Sequence, residues 1–120
     1  MYKGKVGLIQ RVVPHYREAF FNALGKACEL GLEIFAGEPR ADEMIKPVQQ
    51  LEHARLTRGR NLHLFKGPFY LCIQVGLKRW LKEVNPDLLI VEANPRYVRT
   101  PAAIRWMRRH NRQVIGWGLG

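Results

Sequence analysis

The sequence predicts a doubly wound α/β fold, a Rossmann-like parallel sheet of about five strands ordered 3-2-1-4-5 with helices on both faces. Apolar runs of four to six residues alternate with stretches of helical period, the pattern of repeated strand–helix–strand units. One run, Asp87 to Glu92 (DLLIVE), is continuously aliphatic, as a strand covered on both faces requires. The length of 120 residues, with 47% hydrophobic and 25% charged residues, suits one compact domain spanning 1–120.

The elements follow in order. Lys5 to Ile9 (KVGLI) is the first strand. Pro14 presets the backbone for a helix whose core stripe is Tyr16, Phe20, Ala23, Leu24 and Ala27, and Gly31 ends it. Leu32 to Ala36 (LEIFA) is the second strand, stopped by Gly37-Glu38-Pro39. The chain is then polar and charged to Asn61, with a weakly patterned helix between Ala41 and Ala54. Leu62 to Phe65 is the third strand. Beyond it, Ile73, Leu77, Trp80, Leu81 and Val84 fall at helical spacing, and Asn85-Pro86 closes that helix. Asp87 to Glu92 is a central strand. Thr100 caps a helix with Pro101 at its first position and Ala103, Ile104 and Met107 inward. Gln113 to Trp117 (QVIGW) is the last strand.

Charge is the first unusual quantity. Twenty Lys and Arg against ten Asp and Glu give +10, and the second half holds only three of the ten acids. Such a surface attracts nucleic acid, anionic lipid or phosphorylated substrates, and the charge alone does not choose among them. The apolar run near the N-terminus is too short for a signal peptide or a spanning helix, so the sequence reads as cytoplasmic. Cys28 and Cys72 lack metal or redox spacing and read as buried thiols.

Ligands in such sheets sit beyond the carboxyl ends of the strands. The first strand-to-helix turn, Gln10 to Arg17, has no glycine, which disfavours a bound dinucleotide. It offers Gln10, Arg11, His15 and Arg17 near a helix start, where phosphate or carboxylate groups are well placed; the alternative is a set of solvated basic residues. His15 is a general-base candidate on type alone. After the DLLIVE strand, Glu92, Asn94 and Arg96 occupy the switch-point position, either as ligand contacts or as a structural ion pair. Gly116, Gly118 and Gly120 form a G-x-G-x-G run that reads as a phosphate cradle or, more simply, a tight turn. Between Lys66 and Lys82, aromatic residues are mixed with Lys66, Lys78, Arg79 and Lys82; exposed Phe69, Tyr70 and Leu71 would dock at an anionic membrane, whereas buried ones would be core.

The run Val12 to Leu24 (VVPHYREAFFNAL) with Gly31 to Gly37 (GLEIFAG), then Pro86 to Glu92, Asn94-Pro95-Arg96 and Arg112 to Gly120 (RQVIGWGLG), resembles the N-terminal half of bacterial GT-B glycosyltransferases of the family-four, retaining type. The similarity spans nearly the whole chain. It implies transfer of a sugar from a nucleotide-sugar co-substrate to a sugar or lipid-linked acceptor, with no other cofactor, no metal and no specific nucleic-acid partner. It also implies that a donor-binding half with a pair of glutamates lies beyond Gly120, so that this half alone is inactive. Relatives often carry a histidine after the fourth strand; here that turn reads Ala93-Asn94-Pro95-Arg96, which puts acceptor positioning in doubt. Within this reading Arg17 and Arg96 are the leading contacts to an acceptor or donor phosphate, with Gln10, Arg11, His15, Glu92, Asn94 and Gly118 beside them. The rival class is a non-catalytic basic module binding nucleic acid or other polyanions through its second half. No glycine-aromatic strand motif, zinc knuckle or helix-turn-helix supports sequence-specific recognition.

Overall fold

The protein is described from a computed structural model covering residues 2–40, 43–65, 67–92 and 94–117. Its elements are β1 (Val6–Ile9), α1 (Glu18–Lys26), β2 (Leu32–Ala36), β3 (Arg55–Arg58), β4 (Arg60–Leu64), β5 (Leu71–Val75), α2 (Leu77–Val84), β6 (Leu88–Glu92), α3 (Thr100–Arg109) and β7 (Gln113–Trp117). Short 3-10 turns occupy His15–Arg17 and Gly67–Phe69.

Five strands form one parallel sheet in the order β3-β2-β1-β6-β7, the order the sequence predicts, while β4 and β5 pair as a separate antiparallel hairpin. Leu8 stands between Ile34 and Ile90, and Ile90 pairs with Ile115, so aliphatic residues run across the sheet centre. Alternation along β1 and β2 divides the interior in two. Val6, Leu8, Leu32 and Ile34 meet Phe21 of α1, with Val48 and Leu51 from the long loop. Ile9 and Phe35 meet Trp80 and Leu81 of α2 and Met107 of α3 on the other face, joined by Leu89 and Val91 of β6. Phe21 is fully buried, and truncating such a ring to alanine costs about 3–5 kcal/mol.

Three expectations about the segment between β2 and α2 are corrected. The third strand of the sheet is Arg55–Arg58, and Leu62 to Phe65 falls instead on the hairpin. Two arginines in this edge strand hide its alternation. The turn between β3 and β4 needs Gly59, because a Cβ there would lie 2.1 Å from the Phe35 ring. Between Glu43 and Ala54 there is no helix; Ala41 itself lies outside the described residues. Pro47 disfavours helical backbone at Lys46. The backbone there pairs with the first turn instead, through His15 N–H to the Lys46 carbonyl and Val48 N–H to the Val13 carbonyl. Ile73 belongs to β5 rather than to the following helix, because Gly76 at φ +88° breaks the chain and starts α2 at Leu77.

The stripe expected on the first helix is also rotated. Tyr16 is 69% and Phe20 53% exposed, Ala23 and Ala27 are exposed, and Phe21 and Gly25 are buried. The 3-10 turn at His15–Arg17 delays the α-helix to Glu18 and changes the phase of everything after it. That helix ends at Lys26, before Gly31, whose φ of +99° serves the turn into β2. Thr100 is the first helical residue of α3, preceded by Arg99, and Pro101 stands in the first turn as expected.

Candidate functional site

The order of strands reverses between β1 and β6, so the chain leaves these neighbours in opposite directions and opens a crevice at their carboxyl ends. Two loops wall it: residues 10–17 after β1, and residues 94–99 after β6. Gln10 N–H bonds the Phe35 carbonyl, and the Arg11 carbonyl accepts from Gly37 N–H and from the Asn61 side-chain amide at 2.7 Å. These bonds hold the first loop against β2. The second loop is held by the Asn94 side chain, whose Oδ1 accepts from Arg96 N–H at 3.0 Å, and by backbone bonds joining Cys72 to Arg96 and Val98.

The resulting pocket has a volume of about 380 Å3. Gln10, Arg11, Arg17, Glu92 and Asn94 line it together, joined by Tyr16, Ile45, Tyr97 and Trp117. Five of the expected site residues thus converge. His15 and Arg96 do not. The exposed His15 ring stands against Tyr16 outside the pocket wall. Arg96 turns toward the hairpin, where its guanidinium donates to the Gly67 carbonyl at 3.0 Å. Gly118 and Gly120 lie outside the described residues.

Of the two cations that line the pocket, Arg11 is compensated. Arg11 makes two parallel hydrogen bonds to Glu43, both 2.7 Å, and Arg40 N–H donates to the same carboxylate. The bonds from Arg11 hold the Glu43 carboxyl down at about 2, and the Glu43 bonds raise the Arg11 guanidinium further. Arg11 is therefore committed to Glu43 and is not a free anchor for a phosphate. Arg17 has no carboxylate within ion-pairing distance among the described residues; its guanidinium lies 5.0 Å over the Trp117 ring and 5.9 Å from that of Tyr16. Trp117 in turn packs on Phe20 and Phe21, at 5.7 and 6.1 Å between ring centres. The fully buried Phe21 thereby sets the floor under the cation.

Glu92 contrasts with Glu43. Burial pushes its carboxyl above the usual range, against the opposing pull of the Tyr97 hydroxyl and of Arg11. Burial and the neighbouring Glu92 raise the Tyr97 phenol likewise. Behind them, burial pushes the Tyr70 phenol up to about 12 and raises the Cys72 thiol, and Tyr70 shares a 2.6 Å hydrogen bond with His63 Nδ1. A carboxyl held toward its neutral form beside hydroxyl groups can exchange a proton with a bound hydroxyl.

Sequence reasoning missed Tyr97 and Glu43, and it named Trp117 only as the end of the last strand and within the resemblance run. Tyr97 stands beyond the end of β6 and Trp117 at the carboxyl end of β7, where the switch-point rule points. Glu43 pairs with a residue 32 positions away, across a loop of no regular pattern, and left no local signal. The membrane expectation is redrawn: Phe69 is 76% exposed, but Tyr70 is buried and Leu71 half-buried, and Phe65, 68% exposed, takes their place at the hairpin tip. Lys66 lies outside the described residues.

Among the described residues no group of three or more His, Cys, Asp or Glu side chains could hold a metal ion, and no helix is long and apolar enough to cross a membrane. The fold is an α/β, Rossmann-like sheet with a mixed polar and aromatic crevice at the switch point. Compared with protein-family models, curated proteins and solved structures, the chain matches none.

Proposed function

We propose that this domain is the acceptor-binding side of a GT-B type glycosyltransferase and that the switch-point pocket receives the acceptor sugar. The observation that carries this reading is the composition of the pocket wall: the aromatic faces of Tyr16 and Trp117 stand beside Gln10, Asn94, Tyr97 and Glu92. Aromatic faces pack against the C–H faces of a sugar ring, while amide, phenol and carboxyl groups exchange hydrogen bonds with its hydroxyls. The pairing of Arg11 with Glu43, which leaves Arg17 as the one lining cation without a carboxylate among the described residues, supports a hydroxyl-rich ligand over a polyanion, and the glycine-free first turn disfavours a dinucleotide. Arg17 orients an acceptor hydroxyl or meets the donor phosphate, which a second, donor-binding half brings to the crevice. Glu92 positions the attacking hydroxyl through its hydrogen bonds. The aromatic tip formed by Phe65 and Phe69 supports an acceptor carried on a lipid at an anionic membrane.

Saturation-transfer NMR with free hexoses and disaccharides tests the acceptor pocket. Sugar signals are expected with the wild type and should disappear in Arg17→Ala while its unfolding midpoint stays within about 0.5 kcal/mol of wild type. A folded protein that saturates no sugar, yet binds RNA or DNA with a steep salt dependence and no sequence preference, would make it a basic binding module instead. Reading the native coding sequence past Gly120 is the complementary measurement, and a second α/β half supports the transferase.

A further inference from the structure

Between α2 and the length of α3 lies a second pocket, of about 330 Å3, that has no lining residue in common with the switch-point pocket. Lys78, Arg79, Arg99, Arg105 and Arg109 line it, with Trp106 as an aromatic wall. Only Arg79 has a carboxylate partner among the described residues, Glu83 at 3.3 Å. The other four cations are exposed and uncompensated. Neither helix carries an acidic residue in its first turn, so no carboxylate there offsets the positive helix starts beside Lys78 and Arg99. The buried Gln74, 1% exposed, also lines the pocket, and its Oε1 has no hydrogen-bond partner. Four cations gathered without counter-charge repel one another, which destabilises the empty protein, and a bound polyanion removes that repulsion.

We propose that this pocket binds a ligand carrying two or more adjacent phosphate groups, at a site separate from sugar transfer. The guanidinium groups of Arg99, Arg105 and Arg109 grip phosphate oxygens in pairs, and Lys78 adds a point charge at the helix start. Trp106, stacked on His110 with ring centres 4.1 Å apart, offers a rigid face to a flat part of the ligand. Gln74 Oε1 is an acceptor for a ligand hydroxyl or amine. A free polyphosphate compound and a multiply phosphorylated lipid headgroup share this chemistry. The inference goes beyond the sugar-transfer reading and does not depend on it.

Isothermal titration with inorganic tripolyphosphate tests it directly. One saturable site is expected, weakened at least tenfold in Arg105→Ala/Arg109→Ala and unchanged in Lys3→Ala/Lys82→Ala, which removes the same charge elsewhere. All four positions are exposed, so both variants keep the fold, as circular dichroism should report. Phosphatidylcholine vesicles containing phosphatidylinositol bisphosphate separate the two sources. Capture that the pocket variant abolishes and tripolyphosphate displaces assigns a lipid headgroup, and titration without capture assigns a free ligand. Equal tripolyphosphate affinity in the two double variants, or binding to neither probe, overturns the proposal.

Discussion

The two pockets of this domain are built from similar cations and differ in what faces them. In the crevice between β1 and β6, Arg11 is held by Glu43, Arg17 lies on Trp117, and Glu92 stands opposite. Between α2 and α3, Lys78, Arg99, Arg105 and Arg109 meet no carboxylate among the described residues. A net charge of +10 therefore describes neither site. The two proposals rest on that difference in the placement of a few acidic and aromatic side chains: a hydroxyl-rich ligand is proposed for one and a polyanion for the other.

The strongest way to break the contrast is to remove the floor of the first pocket. Trp117→Ala takes away the platform under Arg17 and the packing on Phe20 and Phe21, and for a half-buried indole should cost about 2–3 kcal/mol. Urea unfolding reads the cost. Sugar binding should vanish while tripolyphosphate binding survives, and loss of both together would mean that the pockets are not independent.

Glu43→Gln should convert the first pocket toward the second. It leaves Arg11 half-buried without its carboxylate and should cost about 2 kcal/mol, within the range for hydrogen bonds to charged groups. Titration with tripolyphosphate should then reveal a second, weaker site. An unchanged single site would show that pairing with Glu43 is not what keeps Arg11 from anions.

The smallest effect sharpens the contrast within the crevice. Glu43, held near about 2 against an ordinary 4.5, contributes stability that is complete above the ordinary value and fades as pH falls through the lower one. Glu92 has the opposite sign: its contribution is complete below 4.5 and is lost as pH rises through its elevated value. Glu92→Gln should therefore flatten the rising-pH side of the stability profile and leave the acid side intact. A variant whose urea midpoint still falls with rising pH as in the wild type would remove Glu92 from that role.

Much of the fold was legible because buried strands announce themselves: KVGLI, LEIFA, DLLIVE and QVIGW all became strands of the sheet, in the expected order. The segment between β2 and α2 was not. Its edge strand carries arginines, its crossover is a loop tied down by Pro47, and its hairpin lacks a tight two-residue turn. Convergence of Gln10, Arg11, Arg17, Glu92 and Asn94 followed from the switch-point rule, which concerns strand ends alone. The Arg11–Glu43 pair and the unpaired cluster around Trp106 depend on contacts across the chain, to which local patterns are blind. Arg105 and Arg109 face one pocket because they lie four apart on a helix, while Lys78 and Arg99 reach it from elsewhere.

The borders of the sheet are unlike each other. On one side β3 ends in Arg55 and Arg58, ion-paired to Glu33 and Glu38, and such charges discourage a foreign strand from docking along its backbone. On the other, β7 carries no charged residue and leaves Ile115 half exposed. Resistance to strand addition is thereby uneven among the described residues: β3 is guarded by charge and β7 is not, and Ile115→Lys would be the economical way to even it.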